Sequence, residues 1–209
     1  MSKPILRLIG DVHGKMEDYI NIANQAEHTI QLGDLGFDYS SLRGLDSEKH
    51  KVLGGNHDNY TKEGEKFVYQ TPHFLPNYGI HTIPSTKSNI FFVRGGYSID
   101  YMYRIPGISW WEDEELSYLD GQLALDAYLK AKPLRMISHE CPKSVTQAIN
   151  RKYGRADFSP SRTSILLERM FEEHQPTWWV FGHHHVWFNE VIDGTRFICL
   201  PELAYIDVK

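Results

Sequence analysis

The sequence has few cysteines, no long apolar run and no excess of positive charge. Each shortage removes a class of protein. Its two cysteines, Cys141 and Cys199, cannot form a disulfide framework, and neither lies in a Cys-x-x-Cys pair. Such usage fits a reducing compartment better than a secreted one, so a cytoplasmic location is expected. The apolar run before Gly10 and Asp11 is too short for a signal-peptide core, and no other stretch reaches a membrane-spanning length. No membrane partner is therefore expected. Basic residues number 22 and acidic ones 27, a net charge of −5. That balance argues against a general electrostatic grip on nucleic acid, and long nucleic acid is not an expected partner. It leaves room for a local cationic site. Internal repeats and low-complexity segments are absent too.

What is present is an ordinary core and an unusual number of histidines. With 41% apolar and 13% aromatic residues, the chain needs no disulfide or structural metal to fold. At roughly 150 residues per domain, the 209 residues are expected to form a single domain over 1–209. The eleven histidines are unevenly spread.

Short apolar runs recur along the chain. Strands are predicted at Ile5–Ile9, Thr29–Leu32, Lys51–Leu53, Arg135–Ile137 and Thr177–Phe181. Helices are predicted over Lys15–Ala26, Trp111–Lys132 and Ser161–His174, with Ser161 as N-cap. Phe91–Val93 and Tyr97–Ile99 around Gly95-Gly96 suggest one hairpin. Val186–Ile192 and Thr195–Leu200 around Asp193-Gly194 give a stronger one. The polar stretch from Pro142 to Pro160 reads as a loop. Strands alternating with helices indicate an α/β fold with parallel pairing, and the last hairpin adds antiparallel strands.

Five of these runs end in residues that bind metal or handle protons. They are Asp11 with His13, Asp34, Asn56 with His57 and Asp58, His139, and His183 with His185. Ligands of α/β sheets bind beyond the carboxyl ends of the strands. Gly10, Gly33, Gly55 and Gly182 precede four of the groups and are read as permitting the tight turns there. Carboxylate, amide and imidazole donors without thiolate suit Mn²⁺, Fe or Zn²⁺. Seven candidate ligands are too many for one ion with an open position. They suit two ions about 3.5–4 Å apart, bridged by a carboxylate.

In sequence, the motifs Gly10-Asp-Val-His-Gly14, Gly33-Asp34, Gly55-Asn-His-Asp58, Ser138-His139 and Gly182-His-His-His185 resemble those of calcineurin-like metallophosphoesterases, in the same order. The likeness runs from residue 10 to residue 185. It implies a four-layer αββα sandwich with two mixed sheets, and a metal site at the carboxyl ends of the strands. It also implies that Asp11, His13 and His185 hold a first ion, that Asn56, His139 and His183 hold a second, and that Asp34 bridges them. A hydroxide between the ions would attack phosphorus in line. His57 would stabilise the transition state or protonate the leaving oxygen. Mn²⁺ is the first expectation for the ions, with Fe, Zn²⁺ and Ni²⁺ as alternatives.

One departure from the family bears on substrate. Phosphoprotein phosphatases of this kind carry Gly-Asp-x-x-Asp-Arg at the second motif. Here the run is Gly33-Asp34-Leu35-Gly36-Phe37-Asp38, with no arginine and with Phe37 at the orienting position. The complete Gly-His-x-His resembles the phosphodiesterase and nuclease branches. The expected activity is thus hydrolysis of a small phosphodiester or nucleotide, with a phosphomonoesterase as the alternative and a non-catalytic scaffold behind both.

Several side chains carry two readings. Asp58 either orients a neighbouring histidine or arginine or closes a turn. Trp110, Trp111, Trp178 and Trp179 either stack on a base or pack in the core, and Trp178 and Trp179 point to opposite faces. Arg151, Lys152 and Arg155 either form a basic lip or a solvated loop. His184 is read as a non-ligand and Cys141 as a small residue near the site. The acidic total does not conflict with an anionic substrate. Two dications against the carboxylates of Asp11 and Asp34 leave the site near about +2.

Overall fold

Ten strands and four α-helices are formed among the described residues, 3–61, 70–157 and 159–208 of this computed structural model. In chain order they are β1 (Leu6–Ile9), α1 (Met16–Ala23), β2 (His28–Gln31), β3 (His50–Val52), β4 (Tyr78–Thr82) and β5 (Asn89–Val93). Then come α2 (Tyr118–Ala131), β6 (Arg135–Ser138), α3 (Lys143–Tyr153), α4 (Arg162–Glu173), β7 (Trp178–Phe181), β8 (Phe188–Ile192), β9 (Thr195–Cys199) and β10 (Tyr205–Val208). One sheet has the order β10-β1-β2-β3 and the other β4-β5-β6-β7-β9-β8. Within the first, β1, β2 and β3 are parallel and β10 antiparallel. Within the second, β5, β6, β7 and β9 are parallel, and β4 and β8 close the edges antiparallel.

The layer order follows from side-chain alternation along the strands. Successive residues point to opposite faces. Leu6 and Leu8 of β1 pack with Ile90 and Phe92 of β5, Ile137 of β6 and Val180 of β7. This cluster lies between the sheets. The alternate residues Phe91, Val93, Met136, Trp179 and Phe181 face outward and are covered by Leu125 and Tyr128 of α2, Val145 and Ile149 of α3, and Leu167 and Met170 of α4. On the other outer face, Ile9 and Val52 pack against Tyr19 and Ala23 of α1. The result is the expected αββα sandwich. Trp178 and Trp179 divide between the two sides as the strand period requires, and both are used in packing.

Three expectations are corrected, and two edge strands have none. Phe91–Ile99 is not a hairpin: β5 pairs with β4 and β6, and the chain after Val93 leaves the sheet. The 142–160 segment contains α3, apart from residue 158, which lies outside the described residues. Its helical signal is the buried Val145 and Ile149 pair four residues apart, between Pro142 and a left-handed Gly154. The helix expected from Trp111 begins at Tyr118, where Ser117 Oγ accepts from the Asp120 N–H. The acids before it form a 3₁₀ turn, Glu112–Glu114. Finally, edge strands β4 and β10 have partly exposed patterns and no predicted counterpart. Arg7 secures β10 by a two-pronged contact with Asp207, at 2.7 and 3.1 Å.

Leu8 is fully buried between the sheets. Leu8→Ala should therefore cost about 2–5 kcal/mol in urea unfolding, and Leu8→Met less than about 1.5 kcal/mol. A change near zero for the alanine variant would contradict the placement of this residue.

Candidate metal centre

The parallel strands of both sheets deliver their carboxyl ends to one edge. Asp11 and His13 follow β1, Asp34 follows β2, and Asn56 and His57 follow β3. His139 follows β6, and His183 and His185 follow β7. Side-chain donors from both sheets meet there in two groups. One consists of Asp11, His13, Asp34 and His185, and the other of Asp34, His139 and His183. Asp34 belongs to both.

The spacing suits metal ions. In the first group, His185 Nε2 is 3.1 Å from His13 Nε2 and 3.0 Å from Asp11 Oδ2. Asp34 Oδ2 is 3.8 Å from His13 Nε2. In the second, His139 Nε2 is 3.1 Å from Asp34 Oδ1, 3.0 Å from Asn56 Oδ1 and 3.2 Å from His183 Nδ1. Two donors held at about 2.1 Å from one ion lie roughly 3.0 Å apart at a right angle and up to about 4.2 Å apart when opposed, so the donor set fits an ion in each group. The two oxygens of Asp34 face different groups, which suits a carboxylate shared between two ions.

Neighbouring groups set which ring nitrogen is free. His139 Nδ1 is 2.8 Å from the Leu32 carbonyl, which can only accept, so Nδ1 donates and Nε2 is the nitrogen left to bind an ion once its proton is displaced. His183 Nε2 lies 3.2 Å from Glu140 Oε2 and donates to it, which turns Nδ1 toward the site. The other Glu140 oxygen takes His184 at 2.8 Å. His184 thus belongs with Glu140 and Cys141, outside both donor groups. Asn56 donates from Nδ2 to Ser98 Oγ at 3.3 Å, and Ser98 donates to Glu114 at 2.6 Å. This chain presents Asn56 Oδ1 to His139.

The loops are held close together. Asp58 accepts from the backbone N–H groups of Gly55, Asp34 and Leu35 and from the Tyr39 hydroxyl. It joins the Asp34 loop to the Asn56 loop, which decides for the turn-bracing reading. Gly55 and Gly182 lie outside the left-handed region. They are required for space: a methyl at Gly55 would overlap Asp34 Oδ1, and one at Gly182 would overlap Asp11 Oδ1. Gly33 does have a positive φ, 105°, as its turn reading requires, and functional side chains occupy left-handed positions as well. His13, Asp34, His183 and His185 have φ of 48°, 59°, 64° and 54°. Non-glycine residues adopt this region rarely and at a cost.

Charges in the site are strongly coupled. Burial opposes charge on His139, but Asp34 outweighs it and lifts the ring to about 10. The Asp11 hydrogen bond raises His13, and Glu140 raises His183 against the effect of burial. Burial would raise Asp11 and Asp34, yet the imidazoles hold both below the usual carboxylate range. His57 behaves differently: burial lowers it to about 4, and Arg104 adds to the effect.

A cavity of about 660 Å³ opens from Asn56, His57 and His185 along α3, past Thr146, Gln147 and Asn150. Tyr97, Asp100 and Arg104, from the segment after β5, form part of its wall. Of the three basic residues singled out earlier, Arg155 lines the cavity, whereas Lys152 pairs with Glu190 at 2.7 Å. Cys141 and Cys199 are free and buried. Burial pushes the Cys141 thiol up, which does not suit a nucleophile. Sequence reasoning did not single out Glu140, Ser98, Glu114 or Arg104. Glu140 directly follows a candidate histidine. The other three belong to a sixth strand end, marked by Gly95-Gly96 after β5 but without a nearby histidine.

Two donor groups sharing one carboxylate, at the strand ends of an αββα sandwich, form a candidate dinuclear metal centre. The family model of calcineurin-like phosphoesterases matches residues 6–187, and the chain belongs to that dinuclear-metal family of phosphoric ester hydrolases. No curated protein matches the chain. Among solved structures it is similar to a phosphopantetheinyl hydrolase from Mycobacterium tuberculosis, with a TM-score of 0.52 and 13% identity over 96% of this chain and 90% of that one. An archaeal phosphodiesterase matches with a TM-score of 0.40 and 13% identity over 94% and 83%. Identities this low speak to the fold alone. Among the described residues, no helix is long and apolar enough to cross a membrane.

Two outcomes follow from the site. His13, His139 and His183 are raised in the ion-free protein, so ions must displace ring protons on binding. Apparent Mn²⁺ affinity should increase with pH, and calorimetry in buffers of different ionisation enthalpy should show proton release. Ser98→Ala should weaken one of the two sites by about 10–100-fold, because Asn56 loses its partner. Metal titration would show this as a split between the sites, and equal affinities would speak against the Asn56 role.

Proposed function

We propose that the protein hydrolyses a small phosphodiester or nucleotide at two divalent ions, Mn²⁺ in the first place. The observation that carries this reading is the shared position of Asp34 between the two donor groups. Asp11, His13 and His185 would hold one ion with Asp34. Asn56, His139 and His183 would hold the other. When bound, such ions polarise phosphoryl oxygens and acidify water. The protein's own groups keep the donors in place: Leu32 and Glu140 fix the imidazole tautomers, and Ser98 fixes the Asn56 amide. His57 is assigned to the reacting phosphoryl group.

The preference for a diester rests on two features. The second motif lacks the arginine of phosphoprotein phosphatases, with Phe37 and Asp38 in that stretch. The cavity of about 660 Å³ also continues along α3, so a group much larger than phosphate has space beside the centre. Its wall there is polar, with Thr146, Gln147 and Asn150 available to hydrogen-bond the esterifying group. We take residues 1–209 as one domain, and the cysteine usage as favouring a cytoplasmic protein.

Purified protein loaded with Mn²⁺ should hydrolyse a bis-aryl phosphate faster than the aryl monoester, and chelation should abolish both activities. Faster turnover of the monoester would move the assignment to a phosphomonoesterase. No metal-dependent hydrolysis of either ester would refute the reading. Asp34→Asn should lose about a hundredfold or more in kcat, since losing several kcal/mol of charge stabilisation corresponds to at least that factor.

A further inference from the structure

The His57 ring is already engaged at one nitrogen. Arg104 reaches it from the segment after β5, with Nη2 at 2.5 Å from His57 Nε2. A guanidinium has donors only and keeps its charge at any ordinary pH. His57 Nε2 must therefore accept, and the proton of the neutral ring sits on Nδ1.

Arg104 is itself fully committed. Its Nε and Nη2 lie 2.8 and 2.7 Å from Asp100 Oδ1. Its Nη1 donates to the carbonyls of Asn56 and Ser109, at 3.2 and 3.5 Å. With the bond to His57, these contacts engage all three nitrogens of the guanidinium. The guanidinium is almost buried, with 8% of the side chain exposed. Its nitrogens are engaged within the protein, which makes Arg104 a positioning residue that acts through His57. Also near the ring are His13, edge-on at 4.9 Å, and Phe37, tilted at 6.5 Å between centroids, while the Asp34 carboxylate acts on it electrostatically.

We infer that Asp100 and Arg104 hold His57 as a neutral ring protonated at Nδ1, which serves the reaction as a hydrogen-bond donor and not as the acid for the leaving oxygen. The proton balance requires this. A neutral ring that gave up the Nδ1 proton would be left as an anion unless Nε2 gained one. Nε2 faces a permanent cation that cannot give its proton up. A donor that stays protonated instead stabilises charge building on the phosphoryl or leaving oxygen. The inference rests on the phosphoesterase reading for its chemistry, while the state of the ring is independent of it.

The test uses the full chain loaded with diamagnetic Zn²⁺ and labelled with ¹⁵N-histidine. Long-range proton–nitrogen spectra should show His57 protonated at Nδ1 and bare at Nε2. In Arg104→Met the proton should move largely to Nε2, with kcat about 10–100-fold lower at saturating metal. Asp100→Asn, which keeps the guanidinium, should show the same shift in part, and it serves if the methionine variant does not fold. His57→Gln should slow aryl esters of good and poor leaving groups by the same factor. A wild-type proton on Nε2, an unmoved tautomer in both variants, or undiminished kcat in Arg104→Met would overturn the inference. So would a loss in His57→Gln that grows with leaving-group pKa. If no ester is turned over at all, the phosphoesterase reading fails, and the spectra still decide how the ring is held.

Discussion

Asp34 is the point on which the rest of the site depends. It follows a strand of the four-stranded sheet, yet one of its oxygens lies 3.1 Å from His139, delivered by the six-stranded sheet. The same oxygen accepts the His57 backbone N–H at 2.7 Å. A buried carboxylate without partners is strongly unfavourable. Asp11 is fully buried beside it, so two negative groups share one dry region. The surrounding imidazoles compensate in the ion-free protein, and divalent ions are the natural complement of such a set.

This arrangement explains features that look unrelated. Gly55 and Gly182 lack side chains because carboxylate oxygens occupy that space. Asp58 gathers backbone N–H groups from two loops so that the Asp34 loop stays beside the Asn56 loop. Left-handed backbone at His13, Asp34, His183 and His185 costs about 1–3 kcal/mol each when unsupported. Such conformations persist because the core between the sheets and the hydrogen bonds of the loops determine them together. The donors are therefore gathered before any ligand arrives, as a preorganised centre needs them to be.

Much of this was legible in the sequence, and the limits have physical causes. The strands that end in Asp11, Asp34, Asn56, His139 and His183 are short buried runs closed by glycine and polar groups, which is a strong local signal. The αββα order was implied by the motif resemblance, and the alternation of Trp178 and Trp179 agrees with it. Edge strands β4 and β10 escaped because their side chains are partly exposed and their pairing is set by distant partners. Helix α3 escaped because few apolar residues mark its buried face. Glu140, Ser98, Glu114 and Arg104 act through contacts across the fold, and Arg104 meets His57 from 47 positions away. No local pattern encodes such a meeting.

Anomalous scattering from crystals grown with Mn²⁺ tests the central claim most directly. The account predicts two peaks about 3.5–4 Å apart, one on each side of the Asp34 carboxylate. One would lie among Asp11, His13 and His185, the other among Asn56, His139 and His183. No peak at Asp34, or a dominant peak at Glu140, Cys141 and His184, would contradict it.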